Sequence, residues 1–215
     1  MALFSGLFKR PFTTSGDYWT RRYASGKTSG AGSYGRFAEY KAEFINRFVA
    51  ENHVGRVIEF GSGDGNQASL FDFPEFTGVD LVPQVVEAAR KRFADRPGWE
   101  FLTVAEDAAR GGRADMAQSL DVIYHLVEDE VFEIYMRRLA DAAGRFLLVY
   151  SSDHDEAETG NAHVRHRRYS DWLAANAPEL KPARSWENPF ARTPESDPKE
   201  TTFAFFSLFQ REGTA

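Results

Sequence analysis

Three glycines occupy alternate positions in the segment RVIEFGSGDGNQ, residues 56–67. Gly61, Gly63 and Gly65 have no Cβ, so the chain turns tightly there and a ligand approaches the backbone closely. Asp80 ends the next apolar run, 19 residues after Gly61. An acid at that place accepts hydrogen bonds from both ribose hydroxyls of an adenosine. The pattern therefore indicates a site for an adenosine-containing ligand.

Two other glycine-loop sites fit this segment poorly. A phosphate-binding loop needs Lys and then Ser or Thr after its last glycine, whereas Asn66 and Gln67 stand there. The dinucleotide fingerprint places its third glycine five residues after the first, and that position is also Asn66. The segment thus excludes a nucleotide triphosphatase loop and disfavours an NAD-dependent oxidoreductase. A tight turn without any ligand is the remaining alternative.

A second group of candidates lies in HVRHRR, residues 163–168. The side chains are His163, Arg165, His166, Arg167 and Arg168. Arginine holds phosphate or carboxylate through two parallel hydrogen bonds, so the cluster favours an anionic substrate. A solvated basic loop is the alternative. Acids at 153, 155, 156 and 158 also raise the alternative of a metal site, but the ligand set looks incomplete and we expect no metal.

The flanking patterns predict an α/β fold. Apolar runs at 56–60, 76–80, 101–105, 115–120 and 145–151 are typical of strands buried on both faces of a parallel sheet. Helical patterns lie between them, including one at 83–93 that begins with proline and one at 128–144 that ends at Gly144. Alternating strands and helices indicate a doubly wound sheet.

Both ends of the chain depart from this alternation. Strand patterns at 180–190 and 201–210 are joined by a polar segment with two prolines, which predicts an antiparallel hairpin at the far side of the sheet. We therefore expect a seven-stranded, mostly parallel sheet. Upstream, a short helix around 16–24 and a Gly/Ser-rich loop at 24–35 precede an amphipathic helix. We expect residues 1–35 to form a helical lid and 36–215 one domain.

The chain resembles a known family at several motifs. VIEFGSGDGNQ is similar to the first motif of class I S-adenosylmethionine (SAM) dependent methyltransferases, GVDLVP to the second, and DMAQSLDVIYHLVEDEVFEIYMRRL to the fourth. The predicted sheet with its terminal hairpin matches that family, and the resemblance covers roughly 36–210. TSGAGSYGRFAEYKAE and HVRHRRYSDW resemble a bacterial subgroup found in surface-polysaccharide and glycan gene clusters.

The resemblance implies SAM as cofactor and assigns roles to particular residues. The methionine end would meet Glu59, Gly61, Gly63 and Gly65, the ribose Asp80, and the adenine Leu81. Asp107, with Glu106 as the alternative, would accept a hydrogen bond from the adenine amino group. Ser119 and Leu120 end the fourth strand, where ligands bind in such sheets. Tyr23 and Tyr34 would cover the cofactor from the lid.

The acceptor side follows the fourth and fifth strands. We expect the catalytic residues among Asp121, His125 and His166, because histidine titrates near neutrality and accepts a proton from a hydroxyl. The expected substrate-binding residues are Tyr124, His163, Arg165 and Arg167. The basic cluster favours an anionic acceptor, and the resemblance to the glycan-cluster subgroup implies O-methylation of a sugar or glycan-linked acceptor. N-methylation of a small amine, and a SAM-binding regulatory protein without catalysis, are the alternatives.

Composition bounds the cellular setting. A net charge of −6 argues against a nucleic-acid binder, because phosphate binding needs a basic face. The absence of cysteine excludes disulfides and thiol nucleophiles. No apolar run approaches the roughly 18 residues of a membrane span. We expect a cytoplasmic protein without membrane insertion, with a small-molecule or glycan acceptor as partner and its oligomeric state open.

Overall fold

The computed structural model describes residues 12–197 and 199–214. In this part of the chain one seven-stranded sheet has the order β3-β2-β1-β4-β5-β7-β6. The first five strands are parallel, β7 runs antiparallel to β5, and β6 runs antiparallel to β7. The strands are β1 (Arg56–Phe60), β2 (Glu75–Asp80), β3 (Trp99–Thr103), β4 (Ala114–Leu120), β5 (Ala143–Ser151), β6 (Leu180–Trp186) and β7 (Phe205–Arg211).

Helices cover both faces of this sheet. They are α1 (Ser15–Ala24), α2 (Gly35–Glu51), α3 (Pro83–Arg92), α4 (Val104–Arg110), α5 (Asp129–Ala142) and α6 (Tyr169–Asn176). Alternate residues of β5 point to opposite faces. Phe146 and Leu148 join a core with α2 and α3, whereas Leu147 and Val149 join a core with α5 and α6. Burial on both faces explains why this strand is apolar at consecutive positions.

The predicted seven-stranded, mostly parallel sheet with its antiparallel hairpin is confirmed. The predicted stop at Gly144 is wrong. Helix α5 ends at Ala142, and Gly144 lies inside β5. A Cβ on Gly144 would lie 2.5 Å from the carbonyl oxygen of Ala114. Close packing against the neighbouring strand, rather than a helix cap, therefore requires this glycine.

The N-terminal helix is present as α1, although residues 1–11 of the expected lid lie outside the described part of the chain. After the glycine loop the chain forms only a short 3₁₀ turn, Ala68–Leu70. None of the helices in the described residues is long and apolar enough to cross a bilayer.

Candidate active site

A cavity of about 540 Å³ lies at the carboxyl ends of the parallel strands, where β1 and β4 are neighbours. Strand order reverses between these two strands, and such a reversal leaves a ligand-binding crevice in doubly wound sheets. The volume falls within the range of small-molecule sites, about 300–1,000 Å³. Among the residues predicted from the sequence, the cavity walls contain Tyr23, Gly61, Gly63, Asp80, Leu81, Asp107, Leu120, Asp121, Tyr124 and His125.

The glycine loop forms the floor of the cavity and requires glycine for two reasons. Gly61 and Gly63 have φ of 83° and 60°, a backbone region that residues with a Cβ rarely adopt. Other residues also approach both positions closely. A Cβ at Gly61 would lie 2.4 Å from Val122, and one at Gly63 would lie 2.4 Å from Ser29 Oγ. The loop therefore keeps its turn and leaves room for the segments that close over it.

Asp80 ends β2 beside this loop. Its Oδ2 accepts a hydrogen bond from the Gly63 amide and its Oδ1 from the Val82 amide, each at 2.9 Å. The side chain lies in the cavity wall, and burial raises its pKa. Each carboxylate oxygen accepts more than one hydrogen bond. Asp80 can therefore hold the loop and still receive the hydroxyls of a ribose.

One end of the cavity is apolar and open. Leu81, Val104, Val131 and Ile134 line it and are all exposed, Ile134 by 61%. Unpartnered apolar side chains grouped around a crevice mark a ligand site. A flat heteroaromatic ring such as adenine suits this end. Only Leu81 of the four was predicted, although the spacing of Val131 and Ile134 on one face of α5 was a usable signal.

Asp107 borders this apolar end, but its carboxylate is already engaged. Arg138 donates two hydrogen bonds to it, at 2.7 and 2.8 Å, and the pair is largely buried. The other candidate, Glu106, caps α4 through Thr103 and pairs with Arg90 at the surface. The expected hydrogen bond from an adenine amino group to Asp107 stays a prediction. The sequence analysis did not predict that Arg138 pairs with this carboxylate.

Several predicted cofactor residues lie behind the cavity wall. Gly65 packs toward Phe93, and Tyr34 reaches the outer side of the glycine loop. Ser119 is fully buried and shares a 2.7 Å hydrogen bond with the Tyr135 hydroxyl. Glu59 is buried too, and Gln118 donates to it at 3.3 Å. None of these four residues lines the described cavity, which the linear motif did not reveal.

Glu59 is nevertheless electrostatically unusual. Burial raises the pKa of its carboxyl group to about 8, against the hydrogen bond from Gln118 and the nearby charge of Lys41. The cause is loss of hydration, which disfavours the charged form. At neutral pH this carboxyl group is therefore mainly protonated.

Asp121 follows β4 with φ of 59°, an uncommon conformation for a residue other than glycine. The buried ammonium group of Lys41 lies 2.5 Å from its Oδ2. The Tyr124 hydroxyl donates to its Oδ1 at 2.8 Å. These two partners fix the carboxylate in the cavity wall. Lys41 was not predicted, although it lies four residues after Phe37 and three before Phe44, on the apolar face of α2.

His125 is the histidine that lies in the cavity wall among the described residues. Its Nδ1 lies 2.9 Å from the carbonyl oxygen of His163. A carbonyl only accepts, so Nδ1 carries the proton and Nε2 keeps a free lone pair. Burial lowers the pKa of His125 to about 4. The ring is therefore neutral at physiological pH, oriented by the backbone and able to accept a proton.

The predicted anion-binding cluster lies outside the cavity. Arg165 and Arg167 both pair with Asp129, at 3.0 and 2.6 Å, and both donate to the carbonyl oxygen of Val127. Arg168 lies beside Asp155 and Asp171. These contacts fix the segment after β5 against the start of α5. Substrate binding by Arg165 and Arg167 stays a prediction, and in this structure their guanidinium groups hold protein partners outside the cavity.

The two remaining histidines of that segment also face other partners. His163 stacks between Tyr18 and His125, with ring centroids 4.3 and 5.4 Å away. His166 is buried, and its Nδ1 lies 2.6 Å from Ser152 Oγ. Neither ring lies in the cavity wall. Direct base catalysis by His166 therefore finds no geometric basis, whereas the carbonyl of His163 orients His125.

The N-terminal segment closes the other side of the cavity. Asp64 Oδ2 accepts hydrogen bonds from the Ser29 amide at 2.7 Å and the Tyr34 hydroxyl at 3.0 Å. Ser29 Oγ in turn accepts from the Asp64 amide and bonds the Tyr23 hydroxyl. Trp19 and Tyr23 of α1 line the cavity. The described part of the expected lid thus contacts the glycine loop directly.

Comparison with known proteins identifies the class. A family model described as a methyltransferase domain matches residues 34–193. The chain belongs to this methyltransferase-domain family and is of the SAM-dependent class. EEF1A lysine methyltransferase 4 of Mus musculus is 27% identical over 182 residues, covering 72% of this chain. The chain spans 66% of the length of that mouse protein.

Solved methyltransferases share the fold. The N-methyltransferase NodS from Bradyrhizobium japonicum WM9, bound to S-adenosylhomocysteine, superimposes with a TM-score of 0.68 over 93% of this chain and 100% of its own, at 11% identity. Magnesium protoporphyrin IX methyltransferase from Synechocystis PCC 6803, also with bound S-adenosylhomocysteine, gives 0.60 over 91% and 93%, at 17% identity. At such identities the likeness concerns the fold alone.

The residues of the cavity fit SAM. Gly61 and Gly63 line the cavity with backbone atoms, Asp80 provides carboxylate oxygens for a ribose, and the exposed apolar end suits adenine. SAM supplies a methyl group bound to a positively charged sulfur. Leu120 and Asp121, at the end of β4, then border the place between cofactor and acceptor.

Proposed function

We propose that the protein methylates a hydroxyl group of a small acceptor, a sugar or a glycan-linked sugar, with His125 taking the hydroxyl proton. The observation that carries this proposal is the hydrogen bond between His125 Nδ1 and the His163 carbonyl. It leaves Nε2 unprotonated in a ring that lies in the cavity wall. The base and its orienting group are a usual pair in proton-transfer sites.

The charges around the cavity favour a neutral acceptor. Its described walls contain three carboxylates, of which Asp107 is paired with Arg138 and Asp121 with the buried Lys41, whereas Asp80 is bound by backbone amides. The cations beside the described wall are thus engaged with carboxylates and do not attract an anionic acceptor, and Arg165 and Arg167 are engaged elsewhere. The anionic character expected from the sequence is therefore not part of the proposal.

Aromatic side chains shape the acceptor end. Trp19, Tyr124 and Phe203 line the cavity near His125, and the Trp19 ring lies edge-on to His125 with centroids 5.1 Å apart. Apolar, aromatic walls with a few polar groups are usual for small-molecule sites. The C–H face of a sugar ring packs on such a wall while its hydroxyl points at Nε2. The enzyme then acts mainly by holding acceptor and cofactor in line and excluding water.

A substitution at His125 tests this role. We expect His125→Gln to lower kcat roughly 10²–10⁴-fold on the true acceptor, with S-adenosylhomocysteine affinity unchanged. The acceptor is found by screening neutral sugars, nucleotide sugars and amines with labelled SAM and then locating the methyl group. The matched control is His53→Gln, since His53 is exposed at the far end of α2. Wild-type turnover in the His125 variant would show that His125 does not act as the base.

The pH profile gives an independent readout. Burial lowers the pKa of His125 to about 4, so the free base is present at any pH above that value. As far as His125 governs the rate, kcat/KM should stay level from pH 8 down to about pH 5 and fall only below it. A fall centred near pH 6.5 would point to a solvent-exposed histidine instead.

N-methylation is the second candidate, and one observation favours it. The Asp121 carboxylate lies in the cavity wall, where it can accept a hydrogen bond from the N–H of a neutral amine acceptor. The mouse relative is named as a lysine methyltransferase and NodS as an N-methyltransferase. A neutral amine needs no base, so His125→Gln would then leave kcat nearly unchanged. A non-catalytic SAM-binding role would instead yield no S-adenosylhomocysteine with any acceptor.

A further inference from the structure

A second cluster of potential ligands lies in the segment between β5 and α6, apart from the cavity. His154, Glu156 and His166 each place one ligand atom within 4.8 Å of those of the other two. His154 Nε2 lies 3.4 Å from Glu156 Oε2, and the rings of His154 and His166 are 4.5 Å apart. Three neutral or anionic donors from two stretches of chain thus converge on one point.

Backbone pairing explains this convergence. Glu156 and His166 form an antiparallel bridge, in which the His166 amide donates to the Glu156 carbonyl at 2.9 Å and the reverse bond measures 3.2 Å. Directly paired residues project to the same side of such a bridge. His154 lies at a bend two positions before Glu156, and its ring approaches that of His166 to 4.5 Å. The arrangement is therefore set by the fold.

The buried member of the cluster is already oriented. His166 Nδ1 lies 2.6 Å from Ser152 Oγ, and Phe203 packs edge-on against the ring with centroids 4.5 Å apart. A hydrogen bond from a neighbouring group to one ring nitrogen usually fixes a metal-binding histidine so that the other nitrogen faces the ion. His154 and Glu156 are exposed, so an ion and its water ligands can enter from solvent.

We propose that His154, Glu156 and His166 form a binding site for a divalent transition-metal ion of the zinc type. Two imidazoles and one carboxylate suit Zn²⁺, Co²⁺ or Ni²⁺, whereas Mg²⁺ and Ca²⁺ prefer a set of oxygen ligands. Three protein ligands leave a coordination position for water. The positive charge of Arg192 lies near His166 and disfavours a bound cation there, and the negative charge of Glu156 offsets this repulsion.

The ion would act on the shape of the active site rather than on the chemistry. Tyr124 and Phe203 separate the cluster from the cavity. The segment that the ion would clip carries the His163 carbonyl that orients His125, and Val164 of the cavity wall. Its Arg165 amide also donates to the Tyr124 carbonyl at 2.8 Å. Binding at one end of this segment therefore fixes the acceptor side.

The test uses the untagged full chain, stripped with EDTA and titrated with ZnCl₂ and MgCl₂ by calorimetry, without any acceptor. We expect one Zn²⁺ per chain, a rise in Tm with Zn²⁺ concentration, and no Mg²⁺ binding. Co²⁺ should give a visible absorption band. His154→Ala and Glu156→Gln should each weaken Zn²⁺ binding at least tenfold. Both side chains are exposed, so circular dichroism should show that the variants keep their fold.

His53→Ala is the matched control, because it removes an exposed histidine remote from the cluster. It should bind Zn²⁺ like the wild type. The proposal is overturned if the wild type gives neither heat nor a cobalt band, if the His154 and Glu156 variants keep wild-type affinity, or if Mg²⁺ competes equally. These results stand apart from the methyl acceptor, since no turnover is measured.

Discussion

The carboxylate of Asp80 joins the glycine loop to the place expected for the ribose. It accepts hydrogen bonds from the amides of Gly63 and Val82, so it also stiffens the loop. We expect Asp80→Ala to weaken S-adenosylhomocysteine binding by about 1.5–3 kcal/mol, the range for hydrogen bonds to a charged group. Titration calorimetry measures this loss.

Asp115 offers a matched control for that experiment. Its Oδ2 also accepts hydrogen bonds from two backbone amides, those of Gly55 and Arg56, but at the amino ends of β1 and β4. Asp115→Ala should lower stability without changing cofactor affinity. Equal affinity losses in both variants would show that a general loss of stability, and not ribose binding, explains the effect.

Glu59 makes stability depend on pH. Burial raises the pKa of its carboxyl group to about 8, above the value of an exposed glutamate. Its contribution to stability is therefore complete below about pH 4.5 and declines as pH rises through 8, because folding then keeps a proton that the unfolded chain releases. We expect the unfolding free energy of the wild type to fall over pH 5–8 relative to Glu59→Gln, by at most about 1.4 kcal/mol per pH unit.

Denaturant unfolding of the cofactor-free protein at several pH values measures this difference. Glu39→Gln is the control, since Glu39 is an exposed glutamate on α2. The unfolding free energy of this variant, plotted against pH, should run parallel to that of the wild type. If the Glu59→Gln curve also ran parallel, Glu59 would be ionised in the folded protein, contrary to its burial.

At the scale of elements, the segment between α1 and α2 is held to the glycine loop by a few polar contacts. Asp64 accepts from the Ser29 amide and the Tyr34 hydroxyl. A short loop with few apolar contacts opens easily. We expect S-adenosylhomocysteine to slow hydrogen exchange in residues 25–34, and Asp64→Ala to speed exchange there and reduce the protection.

Asn46→Ala is the control for this element. Asn46 lies further along α2 and bridges the Leu70 carbonyl and the Asp72 amide. Its variant should keep wild-type exchange in 25–34. Equal exchange with and without ligand in the wild type would make the segment a fixed wall instead of a lid that closes.

At the scale of the whole molecule, Arg211 fastens the last strand to the body of the protein. Its buried guanidinium group donates to the carbonyls of Ala143 and Ala140 at 2.8 and 2.9 Å, and it pairs with Glu179 at 2.8 Å. Arg211→Ala removes both hydrogen bonds from the buried guanidinium group together with its ion pair. We expect the unfolding free energy to fall by about 3 kcal/mol or more.

The partner of that ion pair shows how much the charge itself contributes. Glu179 is half exposed, so Glu179→Gln should cost less than about 1 kcal/mol. Thermal or denaturant unfolding compares the two variants. Similar losses in both would mean that the ion pair, and not the buried hydrogen bonds, fastens β7.

Local pattern determined the fold and the cofactor end of the site. Consecutive apolar residues, as in β5, arise only when both faces of a strand are buried, and the hairpin followed from two strand patterns without a helix between them. Gly61, Gly63 and Asp80 act through backbone geometry close to their own positions, so a linear motif identifies them. The predicted helix end at Gly144 was wrong, because in the sequence a glycine needed for strand packing looks the same as a glycine that caps a helix.

Long-range contacts decided the acceptor end. Whether Arg165 faces a substrate or Asp129 depends on where the start of α5 lies relative to the segment after β5, and no local pattern encodes that distance. The pairing of Lys41 with Asp121 spans 80 positions in the sequence. The sequence shows the type and charge of each side chain, but only three-dimensional packing decides which side chains pair with each other. In the tertiary structure His125 lines the cavity, whereas His166 lies outside it, beside His154 and Glu156.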